Sequence, residues 1–415
     1  MKVFKRIAWI GLSVLVWTIF VGLGFINGFL LRGITSSDTS EAFIEVSTEE
    51  IENEVEGSLA MVLIEDGEVS QDFFYSIDQP VNGNTVFPVA SVSKWVTSFG
   101  IMKLVEQGKV DLDKPIDDYL TRWHLPESDF DNRKVTVRRL LSHSAGLVDD
   151  LGYEGFARGE KVQTIEESLT KASDSPYAEG VARVGVEPDT EYLYSGAGYT
   201  ILQLLIEEIS GQSFQDYMTE AVFEPLRMNN STFVLADKPN LQLAQLYKED
   251  GTLTEPRTFT ALAAASLFTS TADLSKFLIA NLTDNPVLRR ETILQMSKPE
   301  TFINKIGVYG LGPHLYSQND AQSNIIGHDG SGGTIVINTA ARVNIKSNNG
   351  IIALTMGNPS VASEIADEWL FWEAGIADFV VMQRNIPFLI KLLVVGYLVI
   401  LAVSISIIRK VKSES

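Results

Sequence analysis

A serine and a lysine stand three residues apart in the segment Ser91-Val92-Ser93-Lys94, where a short apolar run gives way to a predicted helix. Residues three apart share one face of a helix, so the Lys94 amine can reach the Ser91 hydroxyl. A serine hydroxyl becomes an effective nucleophile when a neighbouring base takes its proton. A lysine can be that base when burial and nearby dipoles lower its pKa towards neutrality. The pair therefore predicts nucleophilic catalysis at Ser91.

The same serine–lysine spacing recurs at Ser168 and Lys171, in an acidic and polar stretch without an apolar lead-in. We interpret this second copy as a solvated helix face. Its presence shows that the spacing alone is a weak signal, so the assignment of Ser91 depends on motifs further along the chain.

Two such motifs follow in order. Tyr194-Ser195-Gly196 precedes an apolar helix predicted from Tyr199, and His328-Asp329-Gly330 ends a strand-like run and opens a glycine-rich stretch. A phenol held near a lysine can relay protons. An imidazole beside free backbone N–H groups can orient and polarise a carbonyl.

The elements that must position these motifs indicate an α+β domain. Strand-like segments lie at both ends of the central region, and the stretch from 135 to about 284 is mostly helical, so the terminal segments complete one sheet. Asp66-Gly67 is a typical hairpin turn. The predicted strands are Leu59–Ile64, Val69–Tyr75, Asn324–Gly327, Gly333–Ile337 and Gly350–Met356, and the predicted helices include Tyr199–Ile209, Leu274–Leu282 and Ala362–Ala374.

Ser-x-x-Lys, a tyrosine motif and Lys/His-x-Gly in this order resemble the serine β-lactamase and penicillin-binding-protein superfamily, specifically its class C-like branch. The resemblance covers about residues 55 to 375 and implies a β-lactamase/transpeptidase-like antiparallel sheet flanked by helices. Further stretches resemble the family as well: Leu140–Leu147, Glu224–Met228, Ser270–Leu274 and Tyr309–Gly312.

By that resemblance, Ser91 is the nucleophile that becomes acylated. Lys94 helps to deprotonate it, and Tyr194 shares the acid–base work. The backbone N–H groups of Ser91 and Ser331 would form an oxyanion hole, which makes the geometry around Gly330 as important as the side chains.

Two positions depart from the family pattern. Gly196 stands where the family usually has an asparagine that hydrogen-bonds the substrate amide, which weakens the case for peptide or β-lactam turnover more than for ester chemistry. His328, expected beside the acyl or carboxylate end of the substrate, replaces a lysine and is mostly uncharged near neutral pH. We expect His143 to build a loop under the site and Asp329 to be a turn residue. Ser93 and Ser195 are expected only to cap or satisfy backbone groups.

The composition excludes several classes of site. The chain has no cysteine, which excludes disulfides, thiol catalysis and cysteine-ligated metals. The histidines lack zinc-site spacing, which disfavours a zinc hydrolase. Serine acyl chemistry is expected to need no metal and no cofactor. The net charge is −20, and residues 7–408 carry −25 because the first six residues carry +3 and Arg409–Ser415 carries +2. Such an acidic region disfavours nucleic acid as a partner.

Both ends of the chain are apolar. Ile7–Leu31 contains no charge, and Ile386–Ile408 contains only Lys391, so each is long enough to span a bilayer. Basic residues precede the first segment and follow the second, which places both termini in the cytoplasm. A cleaved signal peptide is the alternative for the first segment. The predicted organisation is an anchor at 1–32, an acidic stalk at 33–56, a hydrolase domain at 57–377, a second transmembrane helix at 386–408 and a basic tail at 409–415.

The sequence thus predicts a membrane-anchored, extracytoplasmic serine hydrolase. Its expected substrates are D-alanyl esters or peptides of the cell envelope, β-lactams or small esters; no protein partner is indicated. The alternative is a catalytically weak relative that binds ligands or regulates. A two-span scaffold is disfavoured because a scaffold has no need of three ordered motifs.

Overall fold

The structure is a computed structural model that describes residues 2–51, 55–149, 152–175, 180–316 and 324–413. It divides into two compact units. One is Ser47–Ala366, and the other combines Met1–Val46 with Asp367–Ser415.

The main element of the larger unit is an antiparallel sheet. Among the described residues it has eight strands, in the order β2-β1-β12-β11-β10-β9-β8-β7, while β3 pairs with β6 and β4 with β5. The strands are β1 Ser58–Glu65, β2 Glu68–Ser76, β3 Val86–Pro88, β4 Leu246–Tyr247, β5 Leu253–Thr254, β6 Phe268–Ser270, β7 Thr301–Ile303, β8 Ile306–Tyr309, β9 His314–Leu315, β10 Ile325–Ser331, β11 Ile337–Asn344 and β12 Asn349–Met356.

Helices accompany this sheet, so the predicted α+β class with an antiparallel sheet flanked by helices is confirmed. The helices are α1 Lys2–Ile26, α2 Ser40–Ile51, α3 Val92–Glu106, α4 Val137–Leu141, α5 Ile165–Thr170, α6 Gly196–Ser210, α7 Phe214–Met218, α8 Leu262–Ala265, α9 Thr271–Leu282, α10 Arg290–Met296, α11 Val361–Ala374 and α12 Phe379–Ser413.

The hairpin β1–β2 forms where the sequence predicts it. Asp66 and Gly67 both have positive φ angles, 50° and 81°, which is the backbone that a two-residue type I′ turn requires. β1 then pairs with β12 on its other side, from Ser58 opposite Met356 to Ile64 opposite Gly350. The first and last strands of the unit are therefore sheet neighbours, as expected.

The strand predicted over Gly333–Ile337 is wrong. Gly332 N donates to the Ile337 carbonyl oxygen, so the chain turns between these residues and the strand β11 begins only at Ile337. A short apolar run such as Ile335–Ile337 suggests a strand by composition alone, because it is too short to show a helical or strand period.

Helix α3 is buried on nearly all sides and contacts α6, α8 and β10. Trp95 packs edge-on against Phe277 with ring centroids 5.1 Å apart, and Phe99 lies 4.7 Å from the same ring. Truncating a buried tryptophan to alanine typically costs about 3–5 kcal/mol. This packing gives the residues at the start of α3 a rigid support.

The smaller unit contains two apolar helices long enough to cross a membrane. Ile7–Ile26 has a mean hydropathy of 2.1, and Phe379–Arg409 has 2.6. The two helices contact each other: the Thr18 and Tyr397 hydroxyls are 2.8 Å apart. Helix α1 ends at Ile26, before the end of the apolar run at Leu31, because the chain turns at Gly28 with a φ of 79°.

Candidate active site

Ser91 lies at a sharp corner between strand β3 and helix α3, for which it is the N-terminal cap residue. The residue before it, Ala90, has a φ of 44°, a left-handed conformation that is uncommon for any residue but glycine. Such strain persists only where the surrounding structure enforces it, and it clusters at functional sites. The corner leaves Ser91 half-buried while the rest of the first turn is buried.

Gly330 is the residue that allows strand β10 to pass beside this corner. A Cβ atom at Gly330 would lie 2.3 Å from the Val89 carbonyl oxygen and 3.0 Å from Ser91 N. The Thr339 hydroxyl, on the neighbouring strand β11, donates to the same Val89 oxygen at 3.0 Å. This hydrogen bond connects the sheet to the corner that carries Ser91. The next residue, Ser331, ends β10 with its side chain exposed. The backbone at Gly330, which directly precedes Ser331, therefore lies next to the backbone at Ser91.

Lys94 faces Ser91 from one turn further along α3. Its Nζ lies 3.2 Å from Ser91 Oγ and 2.7 Å from the carbonyl oxygen of Ala264, which belongs to α8. The side chain is only 3% exposed. Burial lowers the pKa of Lys94 to about 7, and the negative charge of Asp149 opposes this shift. A large fraction of Lys94 is therefore neutral near pH 7 and able to accept the Ser91 proton.

Tyr194 lies next to the same two groups. Its ring centroid is 4.8 Å from Lys94 Nζ. Burial raises the pKa of the Tyr194 phenol well above its usual range, an effect opposed by a hydrogen bond with Ser91. Tyr194 therefore remains a neutral phenol at physiological pH. Of the two candidate bases, Lys94 is the one whose unprotonated form is accessible.

The loop under the site is built around His143, as expected. His143 is 1% exposed, and its Nδ1 accepts a hydrogen bond of 3.0 Å from Ser195 N. Its ring lies 4.3 Å from the Tyr194 ring. Ser195 caps helix α6 by accepting from Gly198 N at 2.8 Å. Ser93 is also structural: its hydroxyl donates to the Ala90 carbonyl oxygen and accepts from Leu267 N.

A narrow cleft of about 50 Å³ adjoins Ala90 and Ser331. Its walls are mostly apolar and include Phe259 and Ile335, and Arg257 also lines it. Within the described part of the chain, no group of three or more histidine, aspartate or glutamate side chains is placed to hold a metal ion.

Comparison with known proteins decides the family. A model of the Beta-lactamase family matches residues 48–375. The chain belongs to the Beta-lactamase family. The matched stretch includes Ser91, Lys94, Tyr194 and Gly330, so the residues that the structure brings together belong to the family domain.

Several known proteins match parts of this chain. Penicillin-binding protein 4* of Bacillus subtilis is 34% identical over 158 residues, which cover 37% of this chain and 32% of that protein. Protein flp of Staphylococcus aureus is 22% identical over 324 residues, 74% of this chain and 61% of that protein. Penicillin-binding protein 4 of Amycolatopsis lactamdurans is 25% identical over 303 residues, which cover 68% of this chain and 74% of that protein. The chain spans less than two thirds of the length of the first two.

Solved structures share the fold. The octameric penicillin-binding protein homologue from Pyrococcus abyssi superposes with a TM-score of 0.66 at 26% identity, covering 85% of this chain and 79% of that one. The hydrolase EstCE1, described as having promiscuous acyltransferase activity, gives a TM-score of 0.64 at 18% identity, with 79% and 97% covered. A β-lactamase/D-alanine carboxypeptidase from Pseudomonas syringae gives 0.62 at 18% identity, with 80% and 98% covered.

His328 is in the wall of this site, but its nitrogens are engaged inside the protein. Nδ1 lies 2.6 Å from the carbonyl oxygen of Asp329, and Nε2 lies 2.9 Å from the Tyr309 hydroxyl. A carbonyl only accepts, so Nδ1 carries the proton and Nε2 accepts from Tyr309. The ring is 1% exposed, and burial lowers the pKa of His328 well below 6.5. The imidazole is therefore neutral, and both of its nitrogens are engaged within the protein.

Two sequence interpretations are wrong in the structure. Asp329 is a residue of strand β10 and not of a turn, and it forms an ion pair of 3.0 Å with the buried Arg342. Ser168 is 2% exposed on α5 and does not lie on a solvated face, although Lys171 is exposed. Ser168 is buried because it lies three residues after the buried Ile165, on the face of α5 that packs against the protein.

Sequence reasoning missed three groups that surround the site: the carbonyl of Ala264, the hydroxyl of Tyr309 and the carboxylate of Asp149. Ala264 is 170 positions from Lys94, and Asp149 is 46 positions from Ser195. No short motif connects residues so far apart, and only the fold brings them together.

Proposed function

We propose that this chain is a serine acyl-hydrolase that works through an acyl-enzyme at Ser91. The observation that carries the proposal is the pair formed by Ser91 and Lys94. Their Oγ and Nζ atoms are 3.2 Å apart, and burial lowers the pKa of the lysine to about 7. A nucleophile in contact with a base of matched pKa is the arrangement that covalent catalysis requires.

The reaction follows from these contacts. Neutral Lys94 takes the hydroxyl proton of Ser91 as Oγ attacks the substrate carbonyl carbon. The oxyanion accepts hydrogen bonds from the N–H groups of Ser91 and Ser331, and each such donor is typically worth about 3 kcal/mol in the transition state. Tyr194 passes a proton to the leaving group and is reprotonated by the Lys94 ammonium. Water then attacks the acyl-enzyme, which releases the acid and restores the Ser91 hydroxyl.

The substrate class follows from what surrounds the nucleophile. Gly196 offers no side-chain amide to a substrate, and neutral His328 offers no charge to a carboxylate. We therefore place esters, namely D-alanyl esters of the cell envelope and small esters, ahead of peptides and β-lactams. Relatives named as penicillin-binding proteins, and the fold shared with a D-alanine carboxypeptidase, keep D-alanyl peptides and β-lactams among the substrates to be tested.

Covalent labelling tests this proposal. The full chain in detergent is incubated with a fluorescent fluorophosphonate and, in parallel, with a fluorescent penicillin, and the adduct is detected by gel and intact mass. The wild type is expected to form one adduct that Ser91→Ala abolishes. Ser168→Ala is the matched control, because Ser168 belongs to the second Ser-x-x-Lys copy, and it is expected to label normally. Labelling that survives Ser91→Ala and disappears in Ser168→Ala would refute the assignment.

The two probes also separate the substrate classes. Stronger labelling by the fluorophosphonate supports the preference for esters. Stronger labelling by the penicillin would overturn that preference while leaving Ser91 as the nucleophile.

One observation favours a second function, a ligand-binding or regulatory protein with little catalysis. Both nitrogens of His328 are engaged inside the protein, and Gly196 lacks the family's asparagine side chain. A folded wild-type chain that forms no adduct with either probe, yet binds penicillin reversibly, would support this alternative and refute the hydrolase.

We further propose that α1 and α12 anchor the chain in a membrane, with both termini in the cytoplasm and the hydrolase domain outside. The apolar lengths of the two helices support the anchoring, and the basic residues at both chain ends support the orientation. Because the chain has no cysteine, single cysteines report sidedness cleanly. In intact cells, an impermeant maleimide should label Glu127→Cys, and should label Ser413→Cys only after permeabilisation. Labelling in the opposite order would overturn the orientation.

The acidic outer region supports two partner assignments. We propose a small-molecule or cell-wall substrate and no nucleic-acid partner, because residues 7–408 carry a charge of −25 that repels phosphate.

A further inference from the structure

A buried carboxyl group, that of Asp149, interacts electrostatically with Lys94. Asp149 is 1% exposed, and both of its oxygens accept hydrogen bonds. Oδ1 accepts from the Ser195 hydroxyl at 2.5 Å, and Oδ2 accepts from Ala197 N at 2.8 Å. Because the Ser195 oxygen itself accepts from Gly198 N, its proton is free for Asp149. Two donors directed at one carboxyl group stabilise its ionised form.

These donors belong to the turn that presents Tyr194. Ser195 follows Tyr194 directly, and Ala197 lies in the first turn of helix α6, whose N–H groups have no partners within the helix. A carboxylate is stabilised at a helix N-terminus by the positive end of the helix dipole. Asp149 thus binds this turn through the Ser195 hydroxyl and Ala197 N, and His143 accepts a hydrogen bond from Ser195 N. Gly196 contributes no side chain to the arrangement.

The carboxylate also acts on Lys94 electrostatically. Its negative charge raises the pKa of Lys94 against the lowering by burial. Reciprocally, burial raises the pKa of Asp149, and the hydrogen bonds and the Lys94 charge oppose this. The other titratable groups that face Lys94 are Tyr194, Tyr199, His143, His314 and His328.

None of these other groups supplies a negative charge at neutral pH. Burial raises the pKa of both tyrosines and lowers the pKa of all three histidines, so each is neutral. When Lys94 takes the Ser91 proton, the O–H bond of the serine breaks and an N–H bond of an ammonium forms. A fixed carboxylate nearby stabilises this buried ammonium.

We propose that Asp149 is a positioning residue for the Ser91 reaction, which fixes the turn that carries Tyr194 through its hydrogen bonds to Ser195 and Ala197 and supplies a negative charge that favours the Lys94 ammonium. This inference rests on the proposed hydrolase function. Asp149 lies outside the three motifs. The geometric part of its role is the hydrogen bonding that fixes the Tyr194 turn, and the electrostatic part is the negative charge that acts on Lys94.

Two variants of the full chain separate the two parts. Asp149→Asn keeps an oxygen acceptor for Ala197 N and removes the charge. Ser195→Ala removes the helix cap and the hydrogen bond to Oδ1 and keeps the charge. The measurement is the rate of fluorophosphonate labelling across pH, with the thermal melting temperature recorded for each variant.

For Asp149→Asn, the midpoint of the rise in rate with pH is expected to move to lower pH, because Lys94 loses the charge that helps it to retain a proton. The rate at the plateau is also expected to fall. For Ser195→Ala, the plateau rate is expected to fall while the midpoint does not move to lower pH. A purely structural role would lower both plateau rates and move neither midpoint.

Several outcomes overturn the inference. An Asp149→Asn chain with the wild-type midpoint refutes the electrostatic part, and a Ser195→Ala chain with the wild-type rate refutes the geometric part. The second variant decides the geometric part even if the first fails to fold. Failure of the wild type itself to label would refute the hydrolase function, whereas labelling of the wild type with an unchanged Asp149→Asn profile would refute only the role of Asp149.

Discussion

Arginine in place of Lys94 separates the positive charge of this residue from its ability to accept a proton. An arginine stays protonated at every pH used for proteins. Lys94 has a pKa of about 7 in the structure, against 10.5 for an unperturbed lysine. About half of it is then neutral at pH 7, about a tenth at pH 6 and about nine tenths at pH 8. An unperturbed lysine would be neutral in only about one molecule in three thousand at pH 7.

The assay is the rate at which a fluorophosphonate labels Ser91 in the full chain, between about pH 5.5 and about pH 9.5, a range that brackets the lysine titration. For the wild type we expect a rate that rises about tenfold per pH unit below pH 7 and levels off above about pH 8. Lys94→Arg should lose a factor of about 10²–10⁴, the usual contribution of a general base, and should lose the pH dependence. Lys171→Arg is the matched control in the second Ser-x-x-Lys copy, and should behave as the wild type.

Two results would refute this reasoning. A rate that still rises tenfold per unit at pH 9 would mean that Lys94 has an ordinary pKa and that its burial has been misjudged. A Lys94→Arg chain that labels at the wild-type rate would mean that another group takes the Ser91 proton.

Three further predictions concern stability. Folding lowers the pKa of Lys94 from 10.5 to about 7, so the unfolded chain binds the lysine proton more tightly than the folded chain does. The free energy of unfolding therefore rises with pH between about 7 and 10.5. At pH 7 the buried lysine lowers the free energy of unfolding by about 4 kcal/mol. Lys94→Met should therefore raise the melting temperature despite leaving the Ala264 carbonyl without its donor, a loss of about 1–3 kcal/mol; a lowered melting temperature would contradict this. Gly330→Ala should lower the free energy of unfolding in denaturant by about 1–3 kcal/mol, because the new Cβ would meet the Val89 carbonyl oxygen. The same change should slow labelling of Ser91 about a hundredfold. Labelling at the wild-type rate would show that strand β10 can shift without affecting the reaction. Asp329→Ala should reduce the free energy of unfolding by about 3 kcal/mol, because the buried Arg342 loses the carboxylate of this ion pair. Asp72→Ala, at an exposed position of β2, is the control. Equal stability of the Asp329→Ala and Asp72→Ala chains would argue against the ion pair.

The sequence alone predicted the features that depend on neighbours in the chain. Ser91 and Lys94 are adjacent because a helix brings residues three apart to one face, whatever the rest of the fold does. The Asp66–Gly67 turn follows from the backbone angles that these two residues tolerate. The antiparallel α+β class followed from the order of strand and helix patterns and from the resemblance of the ordered motifs to a family.

Only the tertiary structure decided the environment of those residues. The burial that lowers the pKa of Lys94 comes from elements distant in sequence, and so does the carboxylate of Asp149 that opposes the shift. Tyr309, 19 positions from His328, engages one nitrogen of that imidazole, and the pairing of strand β10 shows that Asp329 is not a turn residue. Residue type and spacing determine which groups can react. Burial, charge and long-range hydrogen bonds determine which protonation state and direction each group takes, because these depend on segments that meet only when the chain folds.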